Sequence, residues 1–395
     1  MDFDLIIVGG GLAGAALAVA LGKSRLKIAL VDGARPQKAA GWDTRIYAYT
    51  PASARFLQDI GVWERLDHAR LCPVDYMEVH GDRGGRLDFA ARECGLTELA
   101  WIGEADLLLT ELWESLTRQH NVTVFAPAAP ARLDHGTHAV ELTLDDGRGL
   151  SAALLVGADG RDSWVRQAVG IKTHSRPYHQ QAVVANFRCE HFHRRVAWQW
   201  FRADGVVAWL PLPGNMFSLV WSAPDEIAAE LMALPDEAFC QRVAAAGGCR
   251  LGGLALETPR AAFALRFMRV ADTVAARVAL VGDAAHAIHP LSGHGINLGF
   301  QDARSLAELL IATEPWQDVG EFGLLRRHAR ARAEEPFMLQ YATDGIHRLF
   351  ASRNPVLGCA RNVGLSLTAR LPPLTRLLAR YAAQGPHETH ILPVF

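Results

Sequence analysis

The residues best suited to chemistry lie in two glycine-rich stretches and in one Asp-Gly pair between them. The first stretch, Gly9-Gly10-Gly11-Leu12-Ala13-Gly14, follows the apolar run Phe3–Val8. In this spacing Gly9 permits a tight turn, Gly11 lets the backbone approach a pyrophosphate, and Gly14 lets a helix pack closely on a strand. Asp32 ends a second apolar run, Lys27–Val31, and can accept from a ribose hydroxyl. The second stretch runs from Arg277 to Gly299. Val278–Val281 is short enough for a buried strand, and Gly282-Asp283 breaks it. Pro290, Gly293, Gly295 and Gly299 then surround Ile296 and Asn297. A strand end followed by a helix start offers free backbone N–H groups and the positive end of a dipole, which suits a polar, partly anionic ligand. Between the two lies Asp159-Gly160, an ordinary turn when read alone. Arg45, just before Thr50-Pro51, is either a solvated loop residue or a fork donor near phosphates.

These residues need strands and helices to hold them. Phe3–Val8, a helix to about Lys23, and Lys27–Val31 form a βαβ unit of dinucleotide-binding spacing; the motif alone leaves FAD and NAD both open. Thr50 reads as an N-cap with Pro51 at the first helical position. Val74–Val79 and Arg86–Phe89 flank a Gly84-Gly85 turn, and Val140–Leu144 pairs with Ser151–Val156 around Asp146-Gly147. Glu104–Gln119 reads as a helix, as does Asp225–Ala246. Another starts at Ile296, and three or four more follow it to about Ala383. Residues 178–221 alternate as strands do. Trp198 and Trp200 share one face, and so do Phe217, Leu219 and Trp221; these aromatics are core by default but could also wall an apolar pocket.

With 395 residues the chain exceeds one ordinary core. A net charge of −2 gives no electrostatic case for nucleic-acid binding. Six scattered cysteines without a CxxC fit a reducing cytosol rather than a zinc site or a disulfide framework. No apolar run reaches the roughly 18 residues of a membrane span. His286, His289 and His294 do not make a convincing metal set, and no metal is expected; His286 reads as a packing histidine and His294 as a polar loop contact. Between Gly345 and Gly385 there are six arginines and no Asp or Glu, amid many leucines.

Taken together, GxGxxG, Asp159-Gly160 and Gly282-Asp283, in this order and spacing, resemble the three fingerprints of single-component flavoprotein aromatic hydroxylases. Trp42–Ser53, the Gly282–Gly299 stretch, Arg348-Leu349-Phe350 and Arg361–Leu365 are similar to the ubiquinone-biosynthesis hydroxylases (the UbiH, UbiI and UbiF group). The chain departs from that pattern at His294, where the family usually has Gln, and at Ala105-Asp106, where it often has Asn-Arg.

The resemblance implies an α/β fold: a Rossmann-like FAD-binding domain interleaved with an antiparallel-sheet substrate domain and a C-terminal helical tail. The expected boundaries are 1–73, 104–177 and 271–332 for the FAD-binding parts, 74–103 and 178–270 for the substrate side, and 333–395 for the tail. It implies that FAD, O2 and NAD(P)H hydroxylate the ring of a polyprenylated phenol through a flavin C4a-hydroperoxide. Gly9, Gly11 and Gly14 would hold the pyrophosphate and Asp32 the ribose. Arg45 and Leu107 would lie beside the cofactor, with Asp159 near its crossing point. Gly282 and Asp283 would meet the ribityl chain. Pro290 would lie at the flavin edge where oxygen reacts, and Gly293, Gly295, Ile296 and Asn297 would face the pyrimidine end. A halogenase is disfavoured, because Trp198-Gln199-Trp200 continues as Phe201-Arg202 and no lysine occurs between Lys38 and Lys172. A related flavoprotein aromatic hydroxylase or isoprenoid reductase with another substrate, and a flavin-binding scaffold subunit, remain as alternatives. The tail, residues 345–385, either packs on the body with solvated arginines or contacts a membrane surface or a quinone-biosynthesis complex. The expected location is cytoplasmic, with the inner-membrane surface as a candidate peripheral site.

Overall fold

The computed structural model describes residues 1–37, 41–288, 293–352 and 354–384. Its first sheet is centred on Phe3–Val8. On one side lie Ile28–Val31 and then Val122–Phe125; on the other lie Gly149–Gly157 and then Val278–Leu280, all parallel to their neighbours. Phe3–Val8, Ile28–Val31 and Val278–Leu280 are largely buried on both faces and, Phe3 and Asp4 apart, read as Ile, Leu, Val and Ala, as a covered parallel sheet requires. Their register fixes where the motifs emerge. Val8 pairs with Val31 and with Gly157, and Gly157 pairs with Leu280. The glycine loop, Asp32, Ala158-Asp159 and Gly282-Asp283 therefore leave the sheet side by side at its carboxyl edge, where open α/β sheets bind ligands.

The second sheet is mostly antiparallel. From one edge its strands are His286–Ala287, Ala261–Val270, Thr173–Cys189, Met216–Pro224, Gly205–Leu212, Val196–Arg202, Tyr76–His80 and Arg86–Ala90. Its two faces differ in side-chain size. Trp209, Trp221, Phe187 and Phe217 point to the back and pack with Phe239, Leu231 and Val243 of two helices. The front carries Ala182, Val184, Ala208 and Val220. So the aromatic face is core, and the opposite, small-residue face walls the cavity.

A third, small sheet joins Ile46–Tyr49, Ala100–Glu104 and Cys72–Val74. The segment Trp42–Pro51 is thus not all loop, since Ile46–Tyr49 is a strand. Thr50 caps the following helix, Pro51–Asp59, by accepting from the Ser53 N–H. The expected helix Asp225–Ala246 is two helices, Asp225–Ala233 and Asp236–Ala246. Leu234 is extended between them, as the residue before a proline prefers.

Four helices follow Gly295–Ile311: Phe322–Ala331, Glu334–Ala351, Pro355–Ala369 and Pro372–Gln384. The arginines of this tail are not one solvated face. Arg361 is buried and pairs with Asp82, and Asn362 Oδ1 accepts from the N–H groups of Arg83 at 3.1 Å and Gly85 at 3.0 Å. Phe350 stacks on Phe201 with ring centroids 3.8 Å apart. Arg380 donates to the Cys94 carbonyl at 2.9 Å. These contacts fasten the tail to the hairpin around Gly84-Gly85, to the neighbouring strand Val196–Arg202 and to the turn at Arg92–Cys94. Arg370 and Arg376 are exposed and carry no ion pair among the described residues. Arg353 lies outside them.

Candidate active site

The glycine loop is shaped by what its positions cannot carry. Gly9 sits at φ +103°, and a Cβ there would meet the Ala158 carbonyl oxygen at 2.4 Å. A Cβ on Gly14 would meet the Gly9 carbonyl oxygen at 1.9 Å. A Cβ on Gly11 would meet nothing within 4 Å and would project into open space beside the helix start at Leu12. Asp32 locks the loop: its Oδ2 accepts from the Gly10 N–H at 2.6 Å and its Oδ1 from the Ala34 N–H at 2.9 Å. From the other side the Trp113 indole donates to the Gly10 carbonyl at 2.8 Å. Sequence patterning does not single out Trp113, because its helix is amphipathic and hides one indole N–H among core residues.

At the neighbouring strand end, Asp159 Oδ2 accepts from the Val165 N–H at 2.9 Å, while its buried Oδ1 has no partner. Ser163 rather than Asp162 caps the short helix that follows. Arg166 donates to the Ala284 carbonyl at 2.9 Å and so ties this turn to the third loop.

In that third loop the Asp283 carboxyl opens into the central cavity and has no hydrogen-bond partner among the described residues. Burial raises its pKa, with His286 and Arg161 holding it down in part. The loop is anchored from behind by Asp302. One Asp302 oxygen accepts from the Gly282 N–H at 3.0 Å and from His286 Nε2 at 2.6 Å; the other pairs with Arg332 at 2.8 Å. Arg332 also pairs with Glu335 at 2.6 Å. All four side chains are buried. Burial disfavours the charged form of His286, but the Asp302 carboxylate outweighs it and raises the pKa. For Asp302, burial works upward, and His286 and Arg332 together hold the pKa well below the usual carboxylate range. His286 is therefore an ion-paired anchor rather than a simple packing histidine.

The start of the helix Gly295–Ile311 is held by Asn297. Its Oδ1 accepts from the Thr50 N–H at 3.0 Å, and its Nδ2 donates to the carbonyls of Ala48 at 2.8 Å and Gly293 at 3.0 Å. The Asn297 side chain is thus spent on protein partners and positions the loop. His294 Nε2 donates to the Ala382 carbonyl of the last tail helix at 2.9 Å. Pro290 and His289 lie outside the described residues. Arg45 pairs with Asp106 at 2.7 Å, so the residue that departs from the family pattern is its partner. Leu107 is not among the cavity-lining residues; Leu109, on the same helix, is.

Gly11, Arg45, Gly160, Gly282, Asp283, Gly293, Gly295 and Ile296 all border one cavity of about 780 Å³. Its far wall is the small-residue face of the antiparallel sheet, and Leu378, Ala379, Ala382 and Ala383 of the last tail helix close one side. The open Gly11 cradle and the Asp283 carboxyl, which has no partner among the described residues, fit the pyrophosphate and hydroxyl-bearing parts of FAD. Among the described residues no cluster of three His, Cys, Asp or Glu side chains could hold a metal ion.

Residues 2–331 match the family described as FAD binding domain. The chain is 36% identical to ubiquinone hydroxylase UbiL of Rhodospirillum rubrum, over 96% of this chain and 89% of that protein. It is 32% identical to 3-demethoxyubiquinol 3-hydroxylase of Escherichia coli, over 96% and 98% respectively. It is also 32% identical to the human mitochondrial ubiquinone biosynthesis monooxygenase COQ6, over 97% and 92%. Among solved structures, p-nitrophenol 4-monooxygenase PnpA of Pseudomonas putida superposes with a TM-score of 0.78 over 97% of this chain and 98% of that one, at 17% identity, a likeness of fold alone.

Proposed function

The chain belongs to the FAD-dependent ubiquinone-biosynthesis hydroxylases, and from that membership we propose that it hydroxylates the aromatic ring of a polyprenylated phenol with FAD, O2 and NAD(P)H. The observation that carries this reading is the cavity. One end is the cradle of glycine loops and the other a mostly apolar sheet wall, with a tail helix along the side. FAD supplies the activation of dioxygen for transfer of a hydroxyl to an electron-rich ring. The chain supplies the rest. Gly9, Gly11 and Gly14 hold the pyrophosphate; Asp32 accepts from a ribose hydroxyl and Asp283 from the ribityl chain, with Asp159 near the crossing point. The N–H groups at Gly295 and Ile296 face the flavin's pyrimidine end and favour negative charge there by about 0.3–1 kcal/mol, up to about 2 when partly buried. The sheet wall and the last tail helix keep water from the ring.

Asp283→Ala should fold normally, since the carboxyl has no hydrogen-bond partner among the described residues and opens into the cavity. Its purified protein should carry at least about tenfold less FAD per chain than wild type, the equivalent of losing one or two good hydrogen bonds. A fully yellow variant would contradict the role of Asp283. The reading as a whole is tested by rescue of strains blocked at each ring hydroxylation, with mass spectrometry of the accumulated precursors. Restored conversion at one step supports it, and failure at every step counts against the substrate class.

The same reading extends to location. The protein works in the cytoplasm, against the inner-membrane surface. Among the described residues no helix is long and apolar enough to cross a membrane. The last two tail helices and the turn between them nevertheless expose Val356, Val363, Leu367, Leu371, Leu374 and Leu377, beside Arg370 and Arg376. A chain delivering a polyprenyl tail, at about 0.8 kcal/mol per buried CH2, gains by opening where that tail stays in lipid. Reversing both arginines (Arg370→Glu, Arg376→Glu) should cut sedimentation with anionic vesicles by about tenfold, since each basic residue near such a surface contributes about 1 kcal/mol. FAD content should not change. Equal sedimentation of variant and wild type would count against the lipid contact.

A further inference from the structure

The cavity has an apolar opening. Leu378 and Ala382 of the last tail helix line it yet stay exposed, so they stand at its mouth; Ala379 and Ala383 beside them are buried. At Gly11, Arg45 and Gly293 the exposed lining is backbone or polar. Phe263 is another exposed apolar residue on the cavity, but arginines flank it. Arg161 donates to the neighbouring Ala264 carbonyl at 2.9 Å, and Arg266 follows on the same strand. That rim offers an apolar chain no path outward.

From the mouth at Leu378 and Ala382 a stripe does run outward. Leu371, Leu374, Leu378 and Ala382 are spaced three, four and four residues apart, so they share one face of Pro372–Gln384 and of the turn that opens it. The three leucines are 52%, 37% and 43% exposed. Arg380, on the opposite face, donates to the Cys94 carbonyl at 2.9 Å, which holds the helix with the stripe turned away from that contact. At about 1.5 Å per residue the stripe is roughly 16 Å long. An extended chain advances about 3.5 Å over three bonds, so an isoprene unit of four backbone bonds spans about 5 Å. About three units cover the stripe.

We propose that this stripe is the binding track of the substrate's polyprenyl tail. The ring lies in the cavity, the tail leaves past Ala382 and Leu378, and its first units lie along the helix as far as Leu371. The proposal rests on the ring-hydroxylase reading above. Continuity favours a prenyl chain over a partner protein or lipid alone, because the stripe begins at residues that also wall the cavity. The track senses tail length only as far as Leu371; a longer tail continues without further contact with it.

The probes are phenols carrying one to five isoprene units at the 2-position, titrated into FAD-loaded protein without lipid, with flavin fluorescence as the readout. Affinity should rise at least about threefold per unit over about the first three units and then level off. Leu378→Ser should weaken every phenol of two or more units by about threefold or more, and Leu371→Ser only those of three or more. Trp316→Ser is the control. It removes an 80% exposed side chain two residues after Glu314, whose carbonyl Arg25 holds at 2.7 Å ahead of Ile28–Val31, at the edge of the first sheet far from the cavity. It should change no affinity. FAD content and melting temperature should hold in all three variants, because none of these side chains is buried. Affinity independent of chain length, as a stripe that meets only lipid or another protein would give, overturns the proposal, and so do equal losses in all three variants; either result leaves the ring-hydroxylase reading standing. Phenols that bind with this length dependence but are never hydroxylated would defeat that reading alone. A wild type that binds no prenylphenol would sink both.

Discussion

Gly11→Ala will fold and melt like the FAD-free wild-type chain but carry little FAD, whereas Gly14→Ala will fail to reach the native fold. The two positions share one motif, yet they face different constraints. At Gly14 a methyl group would sit 1.9 Å from the Gly9 carbonyl oxygen and 2.9 Å from the Ala158 side chain. The first obstacle is backbone, held in turn by the Gly9–Val31 hydrogen bond of the central sheet, so nothing small can move aside. Overpacking commonly costs about 1–3 kcal/mol where side chains can adjust, and here they cannot. At Gly11 the backbone is extended, with φ −65° and ψ −178°, and the added methyl meets no protein atom. It projects instead into the space a pyrophosphate would occupy. Soluble yield, melting temperature and FAD per chain separate the two outcomes. A yellow Gly11→Ala protein would mean that the ligand does not approach this backbone.

The second large effect is expected at Asp302. Asp302→Ala removes the one carboxylate that both His286 and Arg332 face, and it frees the Gly282 N–H. Breaking a buried pair in this way costs about 3–5 kcal/mol, a large share of the roughly 5–15 kcal/mol that holds a typical domain. The variant should be poorly soluble or recovered without FAD. Asp302→Asn keeps the shape and exposes the electrostatics. Because the native pKa of His286 is raised, its pairing stabilises the fold fully below the ordinary imidazole value, and that contribution fades as pH rises through the native value. Because that of Asp302 is depressed, its contribution is present above the ordinary carboxylate value and fades only as pH falls through the native one. Wild-type melting temperature should therefore fall on the alkaline side of neutrality, and Asp302→Asn should melt lower with a flatter alkaline slope. Identical melting profiles would show that the His286–Asp302 pair does not stabilise the fold.

The cradle is legible in the sequence because glycine spacing records where backbone and ligand come close, which is a local constraint. The carboxyl edge that gathers Gly9, Asp159 and Asp283 is legible too, since each motif follows an apolar run of strand length. The anchoring network is not. Asp302, Arg332 and Glu335 look like surface charges on helices, and only their tertiary distance from Gly282 and His286 makes them a buried unit. Alternation puts Trp198 with Trp200 and Phe217 with Trp221 on shared faces, but period two does not say which face meets the helices and which the cavity. Asn297 stands out for its place in the glycine-rich turn, yet its four polar contacts are internal, with Thr50, Ala48 and Gly293. Leu107 and Leu109 differ only in which way the helix turns them. The break at Pro235 is readable in principle, because Leu234 precedes a proline.

Ring hydroxylation is tested most directly with purified, FAD-loaded protein supplied with NAD(P)H, a short-chain prenylphenol and dioxygen labelled with heavy oxygen. The expected result is NAD(P)H oxidation that depends on the phenol and a product that gains one labelled oxygen on the ring. Loss of substrate alkenes without oxygen uptake, or tight FAD binding with no turnover of any ring substrate, would contradict it.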